Sequence, residues 1–130
     1  MSRKLTTEER AALKETLKDA KGEEVVLAKI AEMSDSDRAM AERVHAIVTK
    51  AAPGLAPRTW YGMPAYANAD DKVVLFFKNA GKFKERYCTL GFEGAAHLDD
   101  GEMWPVVFAL TAWTPAVEKR VTELVRAAVS

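Results

Sequence analysis

Apolar positions recur with a helical period at the two ends of this 130-residue chain and with a strand period in its middle. Residues 7–21 carry a thin apolar stripe, Leu13, Leu17 and Ala20, flanked by Arg10, Lys14 and Lys18 on one side and Glu15 and Asp19 on the other. That pattern predicts a surface-mounted accessory helix ended by Gly22. Val26, Leu27, Ile30 and Met33 predict a second helix, and Ser34-Asp-Ser-Asp37 offers capping side chains for a restart. A third helix follows on Met40, Val44, Ile47, Val48 and Ala51, and stops at Pro53-Gly54.

The middle of the chain alternates. Val73, Leu75 and Phe77 point one way and Val74 and Phe76 the other, so both faces of this strand are apolar and it is expected to be central. Turn residues at 68–71 and at 79–81 bracket it. Cys88, Leu90 and Phe92 share one face of the next strand, and Cys88 reads as a small buried hydrophobe. Residues 104–110 predict a further strand with Pro105 at its start or on an edge. Thr114-Pro115 then opens a last helix on Val117, Val121, Leu124, Val125 and Ala128. The expected class is α+β: N-terminal helices, a small central antiparallel sheet, and a C-terminal helix packed on the sheet. Residues 1–22 form the accessory helix and residues 23–130 a single domain.

The stretch Arg58-Thr-Trp-Tyr-Gly-Met-Pro-Ala-Tyr66 joins the helical front to the strands. Gly62 gives backbone freedom, and Pro64 holds Met63 extended, so the run reads as a bend between two extended arms. Trp60, Tyr61 and Tyr66 are apolar with polar tips. They make either a core strand and kink or one wall of a ligand groove.

Composition narrows the functions. With 48% hydrophobic residues the chain is expected to be globular, and 19 basic against 19 acidic residues argue against a general nucleic-acid or anionic-membrane binder. No apolar run has membrane-spanning length, and the start of the chain lacks the apolar core of a signal peptide. A single cysteine excludes an internal disulfide and fits a reducing compartment, so the cytoplasm is the expected location. Phosphate loops, cysteine pairs, histidine-rich metal spacings and serine elbows are missing from the sequence, which speaks against the familiar hydrolases, kinases and zinc enzymes. His45 lies one position off the third helix's stripe, with Thr at 49 and the other histidine far away at 97, and reads as a surface or boundary residue.

Two constellations remain. Lys72, Lys78, Lys82, Lys84 and Arg86 fall within two strands and their turn, and Arg58 joins them across the sheet. Together with Trp60, Tyr61, Met63, Pro64, Tyr66 and Tyr87, the residues Arg58, Lys78 and Arg86 form a candidate groove for a small anionic ligand or an unpaired nucleic-acid strand. Against that stands a plainer role, solvated charge that discourages edge pairing. Asp99, Asp100 and Glu102 gather carboxylates suited to a hard cation, although Asp-Asp-Gly is also ordinary turn chemistry.

The residues Trp60-Tyr-Gly-Met-Pro-Ala-Tyr66, with the Lys72-Val-Val-Leu-Phe-Phe strand and Leu90-Gly-Phe92, resemble the YdhG-like family, a domain of unknown function. The resemblance covers roughly Met33 to the C-terminus, and the first helix looks like an extension found in a subset of the family. It implies an α+β fold with an antiparallel sheet. Some relatives are described as frataxin-like iron chaperones, which implies ferrous iron as a cargo, and no catalytic residues come with the resemblance. The expectation is a non-enzymatic binding or chaperone-like domain, with iron handling through Asp99, Asp100 and Glu102. The alternative is a module for a small anion or single-stranded nucleic acid. A small ligand, a protein partner or a second copy of the chain are the partners considered.

Overall fold

The computed structural model describes residues 19–130. Most of the expected accessory helix, up to residue 18, lies outside the described residues. Its last residues are not helical. Lys21 bridges antiparallel to Arg58, Gly22 N–H donates to Pro57 O at 2.8 Å, and Thr59 N–H donates to Ala20 O at 2.8 Å. The chain therefore enters as a short extended cover on the edge of the sheet.

Two helices follow, α1 (Glu23–Ala31) and α2 (Asp35–Ala51), then β1 (Ala56–Trp60), β2 (Met63–Ala67) and β3 (Val73–Lys78). A single helical turn, α3 (Ala80–Phe83), leads to β4 (Cys88–Phe92), β5 (Val107–Leu110) and the last helix α4 (Pro115–Val129). The five strands form one antiparallel meander in the order β1-β2-β3-β4-β5. The protein is α+β, with its C-terminal helix on the sheet.

Register sorts the side chains into two faces. Tyr66 pairs with Leu75, Leu75 with Phe92 and Phe77 with Leu90, so these share a face with Cys88 and Leu110. All three long helices bury their apolar stripes there: Val26 and Ile30 from α1, Val44 and Val48 from α2, Val121 and Val125 from α4. Thr114 starts α4 as predicted, its hydroxyl accepting from Val117 N–H at 3.2 Å with Pro115 in the first turn. Arg58, Ala65, Phe76 and Gly91 lie in one row on the opposite face.

The bend in the aromatic stretch falls one step earlier than its proline suggested. Tyr61 (φ 51°) and Gly62 (φ 74°) both occupy the left-handed region, which a tight two-residue hairpin requires. Asp19 clamps this turn, its carboxylate accepting from Tyr61 N–H at 2.8 Å and Gly62 N–H at 3.0 Å. Pro64 sits inside β2 after a trans bond, and pairing with β3 begins only at the next residue, Ala65. A proline nitrogen has no proton for the ladder, which accounts for that limit.

Phe76 crosses its own face to lie over Gly91, where any Cβ would overlap its ring, and it meets Trp60 at a centroid distance of 5.5 Å. Gly91→Ala is therefore expected to cost about 1–3 kcal/mol by overpacking. Phe76→Leu in the same chain should recover part of that loss, so denaturant unfolding should show the two changes to be non-additive. Purely additive losses would mean that the ring does not rest on Gly91.

Candidate functional site

The sheet divides the candidate groove residues. Arg58, Trp60, Met63 and Lys78 lie on the face away from the helices, while Pro64 and Tyr66 point into the helix-covered core. Tyr61 projects from the hairpin turn, 65% exposed, against the half-buried Trp60. Arg86 and Tyr87 precede β4, with the guanidinium 5.2 Å from the ring centre. No single wall carries all nine.

The cations on that side already have local partners. Arg58 reaches Asp71 at 3.2 Å, and Lys21 reaches the other oxygen of Asp71 at 3.0 Å. These contacts, the Lys21 hydrogen bond foremost, hold the Asp71 carboxyl below its usual range. Lys78 pairs with Glu85, and Lys82 donates to Gly62 O at 3.3 Å. Lys72 stands at the opposite end of β3 from Lys78. Asp71 and Glu85 thus offset part of the positive charge on this side.

The carboxylate turn is exposed. Gly101 takes φ 71° at its tip, and Asp99 and Asp100 stand on the rim of a groove of about 370 Å³ with His97, Leu98, Trp104 and Arg120. Among the described residues no three His, Cys, Asp or Glu side chains come together as a metal-binding group. Asp99, Asp100 and Glu102 do not make one by themselves.

His45 differs from its sequence reading. It is 8% exposed, not a surface residue, because α2 turns this flank toward β2. Its Nδ1 lies 2.8 Å from the Tyr66 hydroxyl and its Nε2 3.3 Å from a carboxylate oxygen of Glu23. With its proton on Nε2 the imidazole accepts at Nδ1 from Tyr66 O–H and turns Nε2 toward the Glu23 carboxylate. Burial, with the Glu23 charge behind it, pushes the Tyr66 phenol far above its usual range, so it remains a donor. A second buried link joins Cys88 Sγ to Asp37 at 3.2 Å, while the other Asp37 oxygen accepts from Gly81 N–H at 2.9 Å. Burial first, and then the neighbouring Asp37, push the Cys88 thiol up to about 11. A thiol so placed is a poor nucleophile at neutral pH.

The residues that the sequence reading missed lie between α2 and α4. The strands at the two ends of a five-stranded antiparallel meander point the same way, α2 runs into the first and α4 follows the last, so both helices run back in one direction. At one end of the groove between them, Arg43 approaches Glu118 at 3.7 Å, and the same Glu118 oxygen accepts from Trp113 Nε1 at 3.1 Å. Two turns further along each helix come Lys50 and Arg126, which have no acidic partner among the described residues. Ala46, Ile47 and Ala51 floor this groove, whose volume is about 230 Å³. Basic residues at positions 43 and 50, two turns apart on α2, were the available signal.

No family model, curated protein or solved structure matches this chain.

Tyr66→Phe removes the donor to His45 Nδ1 without changing the packed volume, and is expected to cost about 1–3 kcal/mol. His45→Leu added to it should cost much less than when made alone. A double-mutant cycle by chemical denaturation measures this, and zero coupling energy would mean that the bond is not made.

Proposed function

We propose that this protein is a binding module for small organic anions, and that the ligand sits in the groove between α2 and α4. The observation that carries this reading is the pairing of two cations that have no acidic partner among the described residues, Lys50 and Arg126, with an apolar floor of Ala46, Ile47 and Ala51. Each cation is favoured by the carbonyl end of its own helix, which explains how the fold tolerates it. Both line the same groove, and an anionic group held between them gains charge-assisted hydrogen bonds. The apolar floor then favours a ligand with a compact hydrocarbon body behind its anionic head. A short branched carboxylate or a small alkyl phosphate has that chemistry. The Asp99-Asp100-Glu102 turn has no part in it, and on the face of the sheet bearing Arg58 and Lys78 each of these two cations already contacts a carboxylate, Asp71 or Glu85.

Amide NMR titration with isovalerate, isobutyl phosphate and isobutanol tests the reading. The two anions are expected to shift resonances around Ile47, Lys50, Thr122 and Arg126 saturably, and added salt should weaken them. Arg126→Glu should weaken binding about tenfold or more, as loss of a charged hydrogen bond implies. Equal binding of the alcohol, or of the anions to a Lys50→Glu/Arg126→Glu variant, would contradict it.

A further inference from the structure

The two edges of the sheet are not alike. The outer side of β1 is covered: Ala20 and Gly22 hydrogen-bond to it, and Pro57 and Arg58 lie within it. These are devices that stop one sheet from adding to another. At the other edge, β5 pairs only with β4 among the described residues. It has none of those devices. From Trp104 to Trp113 there is no charged residue, and the one proline, Pro105, precedes the strand.

Which backbone groups β5 offers follows from its ladder. Val106 O accepts from Phe92 N–H at 2.8 Å, so residues 106, 108 and 110 direct their polar groups at β4. Val107 and Ala109 therefore direct theirs outward. Both side chains are exposed, Val107 by 60%, and Met103 just before the strand is 90% exposed. Behind the edge lies a small, mostly apolar recess of about 130 Å³ between β5 and α4, with Phe108, Val117, Leu124 and Arg120 among its walls.

We infer that β5 is a self-association edge, and that two copies of this chain join β5 to β5 antiparallel into one continuous sheet. A second copy fits for three reasons. The strand is uncharged over its whole length, so no charge of the strand itself opposes its counterpart, and the nearest described cation, Arg120 of α4, rests over the Phe108 ring at 5.6 Å. The whole chain has no net charge to keep copies apart, with 19 basic and 19 acidic residues. A two-fold axis through Ala109 also sets each Ala109 opposite its counterpart in a hydrogen-bonded pair, and matches Phe108 with Leu110 of the partner on the helix-covered face. Parity is thereby kept on both sides: outward polar groups meet outward polar groups, and core-facing side chains meet core-facing side chains. This inference does not depend on the anion groove, which lies between α2 and α4.

The test is the solution mass of the full chain by multi-angle light scattering and sedimentation at high-micromolar concentration, with Ala109→Lys and Val107→Lys as variants. Both positions are exposed, so the variants should keep the wild-type melting temperature and circular dichroism. The expected result is twice the 14.3 kDa chain mass for the wild type and the single mass for either variant. Hydrogen exchange at the Val107 and Ala109 amides should slow with rising protein concentration in the wild type alone. A wild type that stays monomeric overturns the inference. So does a dimer that both lysine variants leave intact, since it would use another surface.

Discussion

A buried hydrogen bond between a histidine and a tyrosine holds the layers of this protein in register. Tyr66 is fully buried in β2, and its phenol oxygen needs a partner in the core. His45 on α2 supplies it, and Glu23 in the first turn of α1 takes the other side of the imidazole. Side chains from α1, α2 and β2 thus meet at one ring. Leaving either partner alone in the core costs more than the bond itself is worth, which makes the arrangement specific as well as stabilising.

The rotation of α2 follows from this contact. At about 100° per residue, Val44 and Val48 point at the sheet, His45 flanks them on the side of β2, and Arg43, Ala46, Ile47 and Lys50 are carried to the other flank. That flank faces α4 and becomes the wall of the groove with Lys50 and Arg126. Asp37 on the same helix binds Cys88 and the backbone of Gly81, so α2 is tied to the sheet at a second point. A groove built on a helix held at two polar points is more rigid than one built on loops, and rigidity is what a site for a small ligand needs.

Local signals were legible and long-range ones were not. The helices, the alternation of β3 and β4 and the capped start of α4 followed from period and turn chemistry. The position of the hairpin turn did not, because Pro64 suggested the bend, while the deciding contact is the Asp19 carboxylate, more than forty residues away. His45 looked like a boundary residue since its stripe offset is only one position, and nothing local points to Tyr66, 21 residues on. The basic cluster around Lys78 was visible as a count of charges, but the Lys78–Glu85 and Arg58–Asp71 pairs that offset part of it depend on how the chain folds back on itself. Conversely, Lys50 and Arg126 sit in separate helices, and only their packing brings them together. The uncharged run from Trp104 to Trp113 is plain in the sequence, yet its meaning depends on β5 being an edge.

The most direct measurement of the central contact is the nitrogen-15 spectrum of the imidazoles at mildly alkaline pH, where the two tautomers of a histidine are told apart by their nitrogen shifts. His45 is expected to be held as one tautomer, with its proton on Nε2 and with Nδ1 accepting from Tyr66, whose hydroxyl proton should exchange slowly enough to be seen. An averaged mixture of tautomers at His45, or a proton fixed on Nδ1, would contradict it.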